Sequence, residues 1–332
     1  MGKKIIIGMA SSYEELVQED WLWNQTPEPM GVWGNIQMQA RREYPDFLLL
    51  YNLITFPQDD PFTLPWNKAW RRSEWRALQQ RKELDAKIRS RLSQVDRDRT
   101  VSLWREPPLE EVLESHKVMY REAPKYCGYI SGPDDFAPVP DYMPAIWYHG
   151  DSFRELNEMP PPQKIRRCSW VTSGISRTAN HRRRLAFLKS LVDSEVELDV
   201  YGRNLPDWSQ GYGTIKNKSH ALNPYYYNLA IENYAENDWY VSEKLWDALL
   251  GWCLPIYHGG PAADKLLPPG SFLRLPSQDE KGLAYIKEVT STLDAWHEAK
   301  DAIAEARQII LHELNLLAWL SRFVGKNTGK NT

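Results

Sequence analysis

The run Tyr240-Val241-Ser242-Glu243-Lys244-Leu245-Trp246 sets an acid beside a base just after a turn. Ser242 can cap a helix over Glu243 to Leu250, and Gly251 can end it. Backbone N–H groups at such a helix start favour anions. Lys244 adds a point charge suited to a diphosphate, and Glu243 offers acceptors to ribose or sugar hydroxyls. A second basic cluster, His181-Arg182-Arg183-Arg184, opens a helix predicted from a cap at Asn180 to about Leu191. Adjacent arginines point around a helix, so only one or two can face one ligand, where a guanidinium grips phosphate oxygens with two prongs. Glu106 ends a predicted strand in Leu103-Trp104-Arg105-Glu106-Pro107-Pro108, with Glu110 and Glu111 close by. Taken singly, each feature also fits a plain structural role: a helix cap, a solvated helix start, an exposed loop acid.

Several carboxylate pairs carry less. Asp96-Arg97-Asp98 has the Asp-x-Asp form that holds a divalent metal in some enzymes, but it closes a charged helix and reads as solvated charge. Asp59-Asp60 and Asp134-Asp135 read as loop residues, because a pair of acids without further ligands makes no cation site. No metal site is expected. His258, before Gly259, suits contact with a nucleotide or a structural role equally.

The elements that must position these groups alternate between strand and helix. In the first half, strands are predicted at Lys4 to Met9, Asp46 to Tyr51 and Thr100 to Trp104. Between the last two, residues 67–99 read as a helix, with Leu84, Ile88, Leu92 and Val95 on one face. A further helix is predicted from Leu109 to about Ser115. The polar, Pro-rich segment Asp151 to Gln163 reads as a domain boundary. Beyond it strands are predicted at Ser169 to Thr172, Glu197 to Tyr201, Tyr227 to Ile231 and Leu254 to Tyr257, and helix from about Asp294 to Phe323. The expected architecture is therefore α/β with parallel sheets. We read residues 1–160 as one α/β domain, 161–324 as a second Rossmann-like domain and 325–332 as a disordered tail. No Gly-rich dinucleotide fingerprint and no Walker A motif is present, which argues against a nicotinamide dehydrogenase or a P-loop enzyme.

The 332 residues suffice for two cores, and a net charge of -3 gives no global attraction for nucleic acid. No apolar run approaches the roughly 20 residues of a transmembrane helix. The three cysteines are too few and too scattered for a disulfide framework, and a cytoplasmic location is expected. Residues 68–99 hold eleven basic against five acidic side chains, with Trp70 and Trp75 near the start. Peripheral contact with a membrane or an acidic glycolipid is compatible with that segment, as is a solvated helix.

The stretch Tyr225 to Asn233, then Tyr240-Val-Ser-Glu-Lys-Leu-Trp, then Leu254-Pro-Ile-Tyr-His-Gly259, then Leu267-Pro-Pro-Gly-Ser-Phe272 resembles the donor-binding block of the α-1,3/1,4-fucosyltransferases, glycosyltransferase family 10. Order, spacing and most residue types agree over about fifty positions, which makes the compound motif far more specific than its parts. Upstream, Ser169-Trp-Val-Thr-Ser173 and Asp199-Val-Tyr-Gly202 are similar to the family more weakly. The chain departs from the pattern at Ile231, Ser242 and Gly174.

The resemblance implies a GT-B fold of two facing Rossmann-like domains with an interdomain cleft. It implies GDP-β-L-fucose as co-substrate, an inverting reaction, an α-fucoside product with α-1,3 as the expected linkage, and no required cofactor. Arg184, Asn233, Tyr240, Glu243 and Lys244 resemble donor-binding positions, and Glu106 the general base that takes the acceptor's hydroxyl proton. The acceptor, an oligosaccharide or glycolipid, is not fixed. The alternatives are a GT-B enzyme using another sugar nucleotide and a non-catalytic protein that binds glycan or nucleotide.

Overall fold

The structure, a computed structural model, describes residues 3–13, 19–57, 72–194 and 196–328. Asp59-Asp60, Trp70 and the last four residues lie outside the described residues.

The first domain is built on strands β1 (Ile5–Ser11), β2 (Val32–Trp33), β3 (Ile36–Met38), β4 (Phe47–Tyr51), β5 (Thr100–Leu103), β6 (Tyr129–Gly132) and β7 (Val139–Pro140), with helices α1 (Glu19–Trp23), α2 (Arg72–Leu92), α3 (Leu113–Glu122) and α4 (Phe153–Glu158). The sheet order is β2-β3-β1-β4-β5-β6-β7, parallel except for β2. All five residues of β4 are buried, as a strand covered on both faces requires. Alternation sends Leu49 and Tyr51 into one core layer and Leu48 and Leu50 into the other.

The second domain has β8 (Arg166–Val171), β9 (Leu198–Tyr201), β10 (Tyr225–Ile231), β11 (Leu254–His258) and β12 (Leu273–Arg274) in the all-parallel order β12-β11-β10-β8-β9. Its helices are α5 (Ala179–Asp193), α6 (Glu243–Leu250), α7 (Ala262–Leu266), α8 (Glu280–Thr290) and α9 (Asp294–Ile309). Trp170, Phe187, Leu245, Trp246 and Ile303 join in its core. In each sheet the order reverses direction at one place, between β1 and β4 and between β8 and β10. Crevices for ligands open at the carboxyl ends of strands at such switch points. The two sheets turn these ends toward each other, which is the GT-B arrangement.

Three expectations need correction. The helix predicted over residues 67–99 is α2, which ends at Leu92, and Leu84 is exposed while Leu78 and Ile88 reach the core. The C-terminal helix is not one element of the second domain. After α9 the chain makes a wide π turn, Ile310–Leu314, and α10 (Leu316–Thr328) crosses back to the first sheet. There Leu316, Leu317, Leu320 and Val324 pack against Ile7, Leu49 and Val101. Residues 325–328, read as part of a disordered tail, continue this helix.

The link between domains is anchored by Lys164. Its ammonium donates to Gly251 O at 2.7 Å and to Leu222 O at 3.4 Å. Burial without a carboxylate lowers its pKa to about 8. The unfolded chain keeps this proton to about pH 10.4, so between the two values the unfolded state binds more protons and folding gains from rising pH. Relative to Lys164→Met, wild-type stability should rise by about 2 kcal/mol from pH 7 to 9.5, read from urea unfolding at both pH values.

Candidate active site

The sheet ends enclose a cleft of about 540 Å³ lined by both domains. All six residues singled out above, Glu106, Arg184, Asn233, Tyr240, Glu243 and Lys244, line it.

On the second domain's wall, Arg184 reaches back from α5 to the switch point. One terminal nitrogen donates to Asn233 Oδ1, just beyond β10. The other donates to Ser173 O at 3.0 Å and Ser173 Oγ at 3.3 Å, just beyond β8. The guanidinium thus spans the ends of the two strands. It is buried, its Nε–H has no partner, and among the described residues no carboxylate pairs with it. Burial lowers its pKa for that reason. A buried cation without a counter-ion is costly and gains from an anion in the cleft.

Helix placement follows from local chemistry. Thr178, not Asn180, caps α5: its hydroxyl accepts from His181 N and is paired with His181 Nδ1 at 2.8 Å. Asn180 turns inward and donates to Asn233 O at 2.8 Å. Arg182 and Arg183 are exposed, so one arginine of the three faces the cleft, as the helical geometry requires.

At the start of α6, Ser242 caps through Lys244 N, and fully buried Glu232 supports both residues. Glu232 accepts from Ser242 N at 2.8 Å, from Ser242 Oγ at 2.7 Å and from Lys244 Nζ at 3.2 Å. Burial works against the Lys244 charge, but Glu232 and Glu243 outweigh it and raise its pKa. Glu243 lies 3.8 Å from Lys244, 3.9 Å from Lys218 and 3.2 Å from Arg105. Burial alone would raise its pKa, and these three cations together bring it below the usual carboxylate range. Tyr240 is buried beside them, its N–H on Asn237 Oδ1 at 3.1 Å.

The first domain's wall carries Glu106. Its carboxylate accepts from Tyr13 Oη at 2.9 Å and from Asn52 Nδ2 at 3.5 Å. Asn52, after β4, takes a left-handed φ of 52°, which Asn tolerates better than most residues. Its Oδ1 accepts from Arg105 N at 2.8 Å, so one side chain fixes the loop that bears Glu106. Glu110 is exposed, and Glu111 instead accepts from Ala179 N at 3.1 Å at the start of α5.

Sequence reasoning missed Arg105, Lys218, Tyr13 and Asn52. Arg105 sits next to Glu106 and was legible as a neighbour. Lys218 lies in a polar loop and reaches the site only because Asp247, one turn beyond Glu243 on α6, holds it at 2.6 Å. The cleft carries Arg105, Arg184, Arg203, Lys218 and Lys244 against Glu106 and Glu243, an excess of positive charge that suits a diphosphate.

The other candidates fall elsewhere. Asp96 pairs with Arg99 and Asp98 is exposed, before β5 and thus at the sheet edge opposite Glu106. His258 is outside the cleft lining, and its carbonyl accepts from Glu232 N at 2.8 Å. Asp134, read as a loop acid, is fully buried, paired with His116 at 3.1 Å and accepting from Tyr120 Oη at 2.6 Å. Among the described residues, no three His, Cys, Asp or Glu side chains are grouped as a metal would require.

Residues 161–298, which include the second wall of the cleft, match the family described as glycosyltransferase family 10 (fucosyltransferase), C-terminal. A fucosyltransferase-like protein of Arabidopsis thaliana is 29% identical over 133 residues, 39% of this chain and 24% of that protein. The α-(1,3)-fucosyltransferase FucT of Helicobacter pylori is 34% identical over 88 residues, 26% of this chain and 18% of that protein. The chain thus aligns with no more than about a quarter of either relative's length. In fold it is similar to an α-glucosyltransferase solved with UDP-glucose and DNA containing an abasic site, with a TM-score of 0.53, 10% identity, and 97% and 98% of the two chains covered. The matched segment contains Arg184, Asn233, Tyr240, Glu243 and Lys244; Glu106 lies outside it.

The buried acid Glu232 generates a stability prediction. Glu232→Ala leaves Lys244 and Ser242 without their shared acceptor, and breaking such a buried pair costs about 3 kcal/mol or more. Thermal unfolding should fall by about 6–12 °C.

Proposed function

We propose that the protein is an inverting fucosyltransferase that moves L-fucose from GDP-β-L-fucose to a hydroxyl of an acceptor glycan, in α-1,3 linkage. The observation that carries this reading is the buried Arg184 guanidinium at the switch point, without a carboxylate partner among the described residues, within a family 10 segment. The donor diphosphate takes Arg184 and Lys244 as its counter-charges. Asn233 and Tyr240 close around the fucose, and Glu243 accepts from the ribose hydroxyls.

The acceptor enters from the first domain. Glu106 takes the proton from its hydroxyl as that oxygen attacks the anomeric carbon. The C–O bond to GDP breaks on the opposite face of the sugar, and configuration inverts. Negative charge grows on the leaving diphosphate, where fixed cations stabilise it more than in the ground state. This assignment needs no metal ion. Support for it comes from the sign of the cleft, the capping of α6 by Ser242 and the position of Glu106 across from Glu243. A cytoplasmic location and peripheral membrane contact through the basic segment belong to the same proposal.

The test follows GDP formation from GDP-fucose with and without a panel of oligosaccharide acceptors. Acceptor-dependent GDP formation should fall about 10²–10⁴-fold in Glu106→Gln, while GDP affinity stays within a few-fold. Full activity in Glu106→Gln removes the base assignment. Turnover of another sugar nucleotide in place of GDP-fucose moves the reading to a different donor.

EDTA supplies a separate check. Initial rates with and without the chelator should agree, and a metal-dependent rate contradicts the metal-free scheme.

A further inference from the structure

Among the described residues, Arg105 is the one cation of the first domain that lines the cleft. Its side chain is 8% exposed. Nη1 donates to Tyr51 Oη at 2.7 Å, which fixes the guanidinium against β4. Nη2 crosses the cleft and donates to Glu243 Oε2 at 3.2 Å. Among the described residues, this is the only ion pair within 4.0 Å that Arg105 forms. Its backbone N–H is held by Asn52 Oδ1, and the next residue is Glu106. One residue thus ties the loop that carries the base to the carboxylate of the opposite domain.

We propose that Arg105 is a positioning residue that couples the two walls: it orients Glu243 for the donor's ribose hydroxyls and, through the same contact, sets the reach of the Glu106 loop to the sugar. This rests on the fucosyl-transfer reading above. The side chain that makes the contact is rigid because Tyr51 is fully buried and its hydroxyl occupies the other prong. Lys218 and Lys244 also face Glu243, but both belong to the second domain and hold it without reference to the base. Glu111 also meets the second domain, at Ala179 N, but among the described residues Arg105 is the first-domain side chain that pairs with Glu243 itself. A misplacement of about 1 Å at a reacting group costs on the order of a hundredfold in rate, so the contact bears on transfer more than on donor binding.

The experiment is a double-mutant cycle with Arg105→Met, Glu243→Gln and the double variant, measured as transfer to acceptor, hydrolysis of GDP-fucose without acceptor, and thermal midpoint. Arg105→Met should lower kcat for transfer roughly 10–100-fold, with hydrolysis changed less than about threefold and the midpoint little moved. In the Glu243→Gln background the same substitution should cost less than about threefold, because its target is already lost. Arg105→Lys, which keeps the charge, should recover part of the transfer rate and carries the comparison if Arg105→Met folds poorly. Multiplying effects, an unchanged kcat, or transfer and hydrolysis that fall together with the midpoint overturn the inference while leaving the fucosyl-transfer reading in place. A wild type that neither binds GDP nor consumes GDP-fucose overturns both.

Discussion

A buried guanidinium has to find acceptors for its donors and charge for its cation, and Arg184 has acceptors for its terminal nitrogens but neither a partner for Nε–H nor, among the described residues, a counter-charge. Its terminal nitrogens are bonded to Ser173 and Asn233, just beyond the ends of β8 and β10. No carboxylate of the described residues offsets the charge. The ends of the strands are thereby held open around a positive centre at the switch point of the second sheet. The sites of Lys244, Glu243 and Tyr240 follow from the same edge, because α6 begins where the loop after β10 returns.

The acids near this edge are divided by depth. Glu232 lies beneath α6 and spends its carboxylate on Ser242 and Lys244. Glu243 lies above, among three cations, and stays ionised well below neutral pH despite its burial. The two roles differ in what each loses on mutation: Glu232 supports the wall, whereas Glu243 faces the cleft. Across from them Glu106 is held by Tyr13 and Asn52 rather than by a cation, which leaves its oxygens to act as hydrogen-bond acceptors. The separation of a wall rich in cations from one that bears Glu106 is what the proposed displacement with inversion asks of a two-domain cleft.

Much of this was legible in the residues. Strand runs such as Phe47 to Tyr51 are buried on both faces and read as strands on their own, and Ser242 announced the start of α6. The six site residues all fall in one cleft because they lie near strand ends or in the first turns of helices, positions that sequence marks with caps, Gly and Pro. What stayed hidden depended on tertiary contact. The return of α10 to the first sheet follows from a π turn and from Asn315, which bridges to Gln25 O, and neither leaves a periodic mark. Leu84 fitted the helical face of Ile88 and Leu92, but only those later positions pack against the core and Leu84 stays exposed. Lys218 is drawn into the site by Asp247, and the burial of Asp134 by His116 and Tyr120, partners fourteen or more residues away.

The most direct test of the account is the affinity of GDP for the wild-type protein and for Arg184→Met, measured by titration calorimetry. The account predicts one GDP per chain, with binding weakened about 10–100-fold by the loss of the guanidinium, the scale of a charge-assisted hydrogen-bond pair. Absence of GDP binding by the wild type, or equal affinity in Arg184→Met, contradicts the assignment of this edge to the donor diphosphate.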